Sequence, residues 1–106
     1  MRIIFMGTPD FAIPSLRILV ENGYEVVGVI TAPDRPAGRG KQLRPSPVKV
    51  YAESQGLHIL QPEKLRNPEF NAELAALKPD LAVVVAFRML PEMVWSLPTI
   101  GTLNLH

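Results

Sequence analysis

Leu81-Ala82-Val83-Val84-Val85-Ala86 is the stretch that decides the fold, because every residue in it is apolar and three valines follow one another. A strand that faces water on one side alternates apolar and polar residues, whereas a strand buried on both faces is apolar throughout. The β-branched valines also favour extended backbone. The stretch therefore predicts a central strand of a parallel sheet that helices cover on both faces.

Working outward from this strand, four more apolar runs predict strands of the same sheet, at residues 2–6, 25–31, 58–60 and 100–105. Amphipathic segments between them predict helices near residues 8–22, 46–55, 67–78 and 91–96. Thr8 and Ser46 are the predicted caps of the first two helices. Alternating strands and helices with right-handed crossovers predict an α/β fold: a doubly wound, Rossmann-like, mostly parallel sheet.

Composition excludes several classes of protein. The 106 residues are one domain's worth and contain no cysteine, which excludes a disulfide framework, a thiolate nucleophile and a cysteine metal site. No His, Asp and Glu set has metal-ligand spacing, so we expect no metal. The sequence has neither a signal peptide nor an apolar run near the roughly 20 residues of a membrane span. We therefore expect a cytoplasmic protein without a membrane partner.

Positive charge is concentrated between residues 32 and 50. This segment holds five cations and one acid, Asp34, although the net charge of the chain is only +1. Pro and Gly alternate with the basic residues in its first part, so we expect residues 32–45 to form an irregular loop. Such a loop suits the phosphates of a polyanion. A flexible, solvated run of charges is an equally good interpretation of the charge alone.

The first strand is followed by Gly7-Thr8-Pro9-Asp10. A dinucleotide site requires Gly-x-Gly-x-x-Gly here, so that backbone amides hold a pyrophosphate. Pro9 lacks an N–H group and Asp10 is negative, so the turn argues against NAD or FAD. Phe11 follows near the carboxyl edge of the sheet, where it could line a pocket for an apolar group or belong to the core.

The turn Phe87-Arg88-Met89-Leu90 leaves the carboxyl end of the central strand. In a doubly wound sheet this edge borders the ligand crevice. An aromatic ring, a thioether and a leucine with exposed backbone amides would form a slot for a flat heterocycle. Ordinary packing against the following short helix is the alternative.

Asn104 and His106 end the last predicted strand. They are two residues apart, so an extended chain points them to the same side. A histidine can act as a general acid or base near neutral pH, and an asparagine amide can donate to a developing oxyanion. Asn-x-His alone leaves open that both residues are structural. No Ser or Cys nucleophile is evident, which favours direct group transfer.

Five motifs follow one another along the chain: Met6-Gly7-Thr8-Pro9-Asp10-Phe11-Ala12, Pro33-Asp34-Arg35-Pro36-Ala37-Gly38-Arg39-Gly40-Lys41, Pro45-Ser46-Pro47-Val48-Lys49, Val83-Val84-Val85-Ala86-Phe87 and Gly101-Thr102-Leu103-Asn104-Leu105-His106. Together they are similar to the N-terminal part of the methionyl-tRNA formyltransferases. The basic motif is the most specific. Glycinamide ribonucleotide formyltransferase resembles this chain in fold and Asn-x-His, but it has a Gly-rich phosphate loop and lacks the basic insertion.

The resemblance implies a truncated formyltransferase fold and transfer of formyl from 10-formyltetrahydrofolate to methionyl initiator tRNA. It implies that Asn104 polarises the formyl oxygen and that His106 stabilises the tetrahedral intermediate or moves its proton. Residues 87–90, which are Phe87, Arg88, Met89 and Leu90, would receive the pterin. Phe11 would contact the methionyl group. The tRNA contacts would come from Arg35, Arg39, Lys41 and Arg44.

The sequence departs from the family pattern in two respects. The turn that often reads Ala-Tyr-Gly in the family is Ala86-Phe87-Arg88 here, with a bulky charged residue at the third position. The family motif also continues beyond His106, to a catalytic Asp and a β-rich C-terminal domain. We therefore expect residues 1–106 to be the N-terminal part of a catalytic domain, inactive alone, from a monomeric parent.

Two alternatives stay open from the residues. The same scaffold could formylate a small amine, such as an amino sugar or glycinamide ribonucleotide. The basic segment could instead serve a noncatalytic nucleic-acid-binding module, whose binding would depend steeply on salt and not on His106.

Overall fold

The computed structural model describes residues 1–40 and 42–105. Its elements follow in the order β1 (Arg2–Gly7), α1 (Ile13–Glu21), β2 (Glu25–Ile30), β3 (Arg35–Ala37), β4 (Gln42–Arg44), α2 (Pro47–Ser54), β5 (Ile59–Leu60), α3 (Pro68–Ala76), β6 (Leu81–Val85), α4 (Glu92–Trp95) and β7 (Gly101–Leu105). The five strands and four helices expected from the sequence are all present, and the pair β3–β4 is additional.

The main sheet has the strand order β5-β2-β1-β6-β7, and every neighbouring pair is parallel. Chain order runs outward from β1 to β5 on one side and from β6 to β7 on the other. The direction of winding therefore reverses between β1 and β6. Ligands of such sheets bind at the carboxyl ends of the strands beside this reversal.

Two cores lie on opposite faces of the sheet. On one face, Phe5 packs with Leu16 of α1 and Ala52 of α2. On the other face, Met6 packs with Leu74 of α3 and Val94 of α4. Successive side chains of one strand thus enter different cores, as the pleat requires. The predicted doubly wound α/β architecture is confirmed.

The start of the first helix differs from the prediction. Residues 10–12 form a single 3-10 turn, and α1 begins only at Ile13 with no side-chain cap. The Thr8 hydroxyl accepts a hydrogen bond from the Ala32 N–H at 3.3 Å instead. The expected cap at Thr8 is therefore wrong, because this side chain joins the end of β1 to the segment that follows β2.

The expected irregular loop at residues 32–45 is also wrong. β3 and β4 pair antiparallel as a small hairpin, with Arg35 opposite Arg44. Gly38 and Gly40 have φ values of +70° and +81°, which the connection requires and which glycine adopts without strain. Pro36 is tolerated because a two-stranded ribbon leaves some N–H groups without a ladder partner.

The predicted cap at Ser46 is confirmed. Its Oγ accepts a hydrogen bond from the Lys49 N–H at 3.0 Å and lies 2.6 Å from the buried Thr31 Oγ1. This pair fixes the first turn of α2 to the carboxyl end of β2. Thr31 and Ser46, which lie on either side of the hairpin, thereby hold its two ends beside the main sheet.

Gly7 closes β1 at the point where the winding reverses. A Cβ atom there would lie 2.9 Å from Phe5 Cε2, 3.0 Å from the Val85 carbonyl oxygen and 3.1 Å from Ala12 Cβ. We predict that Gly7→Ala lowers the free energy of unfolding by about 1–3 kcal/mol, the usual range for overpacking. Chemical denaturation of purified variants measures this loss.

Gly28→Ala is the matched control. Its new Cβ would approach only the Leu77 Cδ1 atom closely, at 2.8 Å, and a flexible side-chain end can move. We expect a smaller loss than for Gly7→Ala. Equal losses would contradict a special steric role of Gly7 at the reversal.

Candidate functional site

Two clefts open at the carboxyl edge of β6 and β7, and Phe87 and Asn104 are lining residues of both. The first, here named the α1-side cleft, has a volume of about 420 Å³, and its other lining residues are Phe11, Ser15, Val85, Ala86 and Leu105. The second, the α4-side cleft, has a volume of about 530 Å³, and its other lining residues are Arg88, Met89, Leu90, Trp95 and Thr102. The structure thus brings six of the predicted site residues to one edge of the sheet.

The turn after β6 separates the two clefts. Ala86 has a φ of +50°, a conformation that a non-glycine residue adopts at a cost. It directs the chain so that Phe87 and Leu90 pack against the core while Met89 is 95% exposed. The predicted slot therefore has a fixed aromatic wall and a freely accessible thioether.

Arg88 is held by backbone carbonyl groups of the segment between β5 and α3. Its Nη1 donates to the Glu63 oxygen and its Nη2 to the Pro62 oxygen, each at 2.9 Å. The guanidinium also lies 4.9 Å from the centre of the Phe87 ring. Burial lowers the pKa of Arg88, and the positive charge of Arg35 lowers it further. The side chain thus lines the α4-side cleft while two of its three nitrogens donate to backbone carbonyl groups.

Asn104 stands on β7 opposite Val84, in the wall common to both clefts. Its side chain is exposed, and within the described residues no hydrogen bond engages its amide. The amide is therefore available to a bound molecule. His106, predicted as its partner, lies outside the described residues.

Six cleft residues were not predicted from the sequence, and three of them, Ser15, Thr102 and Trp95, have polar or aromatic side chains. Ser15 lies in the α1-side cleft, and Thr102 and Trp95 lie in the α4-side cleft. The Thr102 hydroxyl donates to the Trp95 carbonyl at 2.7 Å and joins α4 to β7. Thr102 shares its parity with Asn104, a signal that could have identified it. The position of Trp95 depends on how α4 packs, which the sequence pattern does not give.

The hairpin carries the predicted basic residues away from acidic partners. Arg35 and Arg44 are direct cross-strand neighbours, an unfavourable arrangement for like charges. Arg39 is exposed near the tip. Among the described ion pairs none involves these arginines. Lys41, the fourth predicted contact, lies outside the described residues. The hairpin therefore presents uncompensated positive charge.

Asp34 is the acid of this segment, and its carboxylate is already engaged. Lys49 Nζ lies 3.0 Å from Oδ1 and 3.1 Å from Oδ2, and Gln61 Nε2 donates to Oδ1 at 2.8 Å. The hydrogen bond from Gln61, followed by that from Lys49, lowers the pKa of Asp34 below its usual range. The negative charge of Asp34 thus anchors the base of the hairpin and does not neutralise its arginines.

In the part of the chain that the structure describes, no three His, Cys, Asp or Glu side chains are grouped to hold a metal ion. No helix of residues 1–40 and 42–105 combines the length and apolarity needed to cross a membrane.

The sequence of this chain matches a family model and is similar to several known proteins. A sequence model described as formyl transferase matches residues 1–106. The chain is 64% identical over its whole length to a methionyl-tRNA formyltransferase of Parabacteroides distasonis, 61% to that of Bacteroides thetaiotaomicron and 54% to that of Citrifermentans bemidjiense. It spans about a third of the length of these relatives, between 33% and 34%.

The lowered pKa of Asp34 gives a prediction for acid conditions. A carboxylate with a depressed folded-state pKa contributes stability above the unfolded value, and this contribution is lost as the pH falls through the folded value. We expect the Asp34 carboxyl ¹³C resonance to titrate below the usual aspartate value of about 3.9. The pKa should rise in Gln61→Leu and Lys49→Met but not in Lys64→Met, the control cation.

Titration of Asp34 at its usual value in the unmodified protein would contradict the anchoring contacts. Equal shifts in all three variants would show that general electrostatics, and not these two partners, set its pKa.

Proposed function

Because this chain belongs to the formyl transferase family, we propose that the protein carrying it transfers the formyl group of 10-formyltetrahydrofolate to the α-amino group of methionyl initiator tRNA. The position of Asn104 between two clefts carries this proposal, because a formyl donor and an amine acceptor must meet at one polar group. The printed names of the relatives, together with the basic hairpin, support tRNA as the acceptor.

The α4-side cleft is the proposed donor site. Its aromatic side chains, Phe87 and Trp95, offer flat surfaces for a pterin, and Met89 and Leu90 supply apolar contacts. Its volume of about 530 Å³ lies in the range of about 300–1,000 Å³ that is usual for small-molecule sites. The residues present thus fit a folate in size and chemistry.

The α1-side cleft is the proposed site for the methionyl group. Phe11, one of its lining residues, is 67% exposed, and Ala86 and Phe87 line it as well. A thioether side chain contacts aromatic rings favourably, by about 0.3–1.5 kcal/mol. Binding of the methionyl group would therefore cover an aromatic side chain that is otherwise in water.

The chemistry assigns each polar group a task. The acceptor nitrogen attacks the formyl carbon, and negative charge develops on the formyl oxygen. The Asn104 amide donates to this oxygen and lowers the barrier, as oxyanion donors do. The nitrogen then loses a proton and the folate nitrogen gains one as the bond to the formyl carbon breaks. We assign this proton transfer to His106 from its place in the sequence.

The hairpin is the proposed contact with the acceptor stem. Its arginines, Arg35, Arg39 and Arg44, suit phosphate groups, and a bound polyanion would relieve the repulsion between the paired Arg35 and Arg44. We place Lys41 in the same contact from the sequence. Residues 1–106 would then form the N-terminal part of the catalytic domain of a monomeric, cytoplasmic enzyme.

Formyl transfer with competing acceptors tests the proposal. The full-length protein is given 10-formyltetrahydrofolate labelled in the formyl group, with methionyl initiator tRNA and glycinamide ribonucleotide present together. We expect label on the tRNA alone, and we expect Asn104→Ala to reduce kcat by about 10²–10³, the effect of losing an oxyanion donor.

Label on the small amine would instead favour the alternative acceptor class. Binding of tRNA without any transfer, unchanged by His106→Ala, would favour a noncatalytic nucleic-acid-binding module.

The hairpin arginines give a separate prediction about salt. We expect Arg39→Ala and Arg44→Ala each to weaken tRNA binding and to reduce the slope of log Kd against log salt by about one phosphate contact. Arg17→Ala is the control, because Arg17 lies on α1 over the Tyr51 ring, 5.5 Å from its centre. Equal losses in all three variants would contradict a specific contact by the hairpin.

A further inference from the structure

Residues 61–63, between β5 and α3, touch both proposed substrate surfaces. Toward the hairpin, Gln61 Nε2 donates to the Asp34 Oδ1 at 2.8 Å and to the Ala32 carbonyl at 3.1 Å. Toward the donor turn, the next two carbonyl groups, those of Pro62 and Glu63, accept from Arg88. One short segment therefore holds the base of the hairpin and the turn after β6.

The turn after β6, residues 87–90, has few contacts other than this attachment. Within the described part of the chain, the backbone of residues 87–90 makes no hydrogen bond to other backbone groups. Packing of Phe87 and Leu90 and the two bonds from Arg88 are the contacts that fix it. A segment with few backbone bonds opens readily unless side chains hold it.

The geometry of Arg88 suits a clamp, meaning a side chain that holds two segments of the backbone together, better than a contact with a ligand. Its planar guanidinium directs two nitrogens at two successive carbonyl oxygens, which a lysine ammonium cannot reproduce. Its Nε–H is buried and has no hydrogen-bond partner among the described residues. A buried unpaired donor is unfavourable. The side chain thus keeps this position although one of its donors remains unsatisfied.

We propose that Arg88 and Gln61 are positioning residues, with Arg88 holding the formyl-donor turn and Gln61 holding the tRNA hairpin on the shared segment 61–63. This inference rests on the proposed function, because it assigns one substrate to each surface.

Kinetics of the full-length protein separate the two roles. We compare Arg88→Met, Arg88→Lys and Gln61→Leu with Arg17→Met, which also removes a guanidinium from an aromatic ring, 5.5 Å from the Tyr51 centre. We expect Arg88→Met to raise KM for 10-formyltetrahydrofolate by about tenfold, the factor that about 1.4 kcal/mol produces, with KM for methionyl-tRNA changed less than about twofold.

The companion variants sharpen the comparison. We expect Arg88→Lys to have an intermediate effect, Gln61→Leu to raise KM for the tRNA instead, and Arg17→Met to change neither value. Backbone ¹⁵N order parameters at residues 87–90 should fall in Arg88→Met, and to a smaller extent in Arg88→Lys, but not in Gln61→Leu or Arg17→Met, and this readout needs no turnover.

The outcomes distinguish a failure of the proposed function from a failure of the positioning roles. No transfer by the unmodified protein, with lowered order parameters at residues 87–90 in Arg88→Met, would overturn the proposed function and the assignment of substrates. Normal transfer by the unmodified protein, with both KM values raised equally in Arg88→Met and Gln61→Leu, would overturn the positioning roles. Unchanged order parameters at residues 87–90 in Arg88→Met would also overturn the role of Arg88 in holding the turn.

Discussion

Parallel pairing of β6 between β1 and β7 is the interaction on which the rest of the molecule depends. It sets Val84 opposite Met6 on one side and Asn104 on the other, so one register fixes both the core and the position of the polar amide. Because the winding reverses beside β6, the turns after β1 and β6 diverge and leave room at the carboxyl edge. Gly7 allows this close approach, since a side chain there would meet the backbone of β6.

The hairpin and the turn after β6 are both attached to this sheet, but the hairpin is held by more contacts. The hairpin is anchored at both ends, by Ser46 on Thr31 and by Asp34 on Lys49 and Gln61. Within residues 1–40 and 42–105, the turn after β6 has no such backbone support and relies on Arg88. The charges of the hairpin have separate roles. The carboxylate of Asp34 anchors the base of the hairpin, and the arginines beyond it remain available to a polyanion. An anchored base together with positive charge at the tip of the hairpin favours binding of a large anion.

The sequence predicted the features that depend on local chemistry. The valine run gave the central strand, Ser46 gave a helix cap, and the parity of residue 104 gave its place at the edge. The errors came from contacts between distant residues. Thr8 bonds to Ala32 instead of capping a helix, and the two short strands of the hairpin stabilise each other although each is rich in Pro, Gly or charge. Trp95 and the bonds of Arg88 also depend on tertiary packing, which no periodicity reports.

Hydrogen–deuterium exchange of the full-length protein, with 10-formyltetrahydrofolate and with methionyl initiator tRNA in turn, shows whether donor and acceptor occupy the adjacent clefts on either side of Asn104, with the RNA on the hairpin. We expect the folate to protect residues 87–90 and 102–105 and the tRNA to protect residues 35–44. Protection by the folate at residues 7–12 alone, or by the tRNA outside the hairpin, would exclude this arrangement.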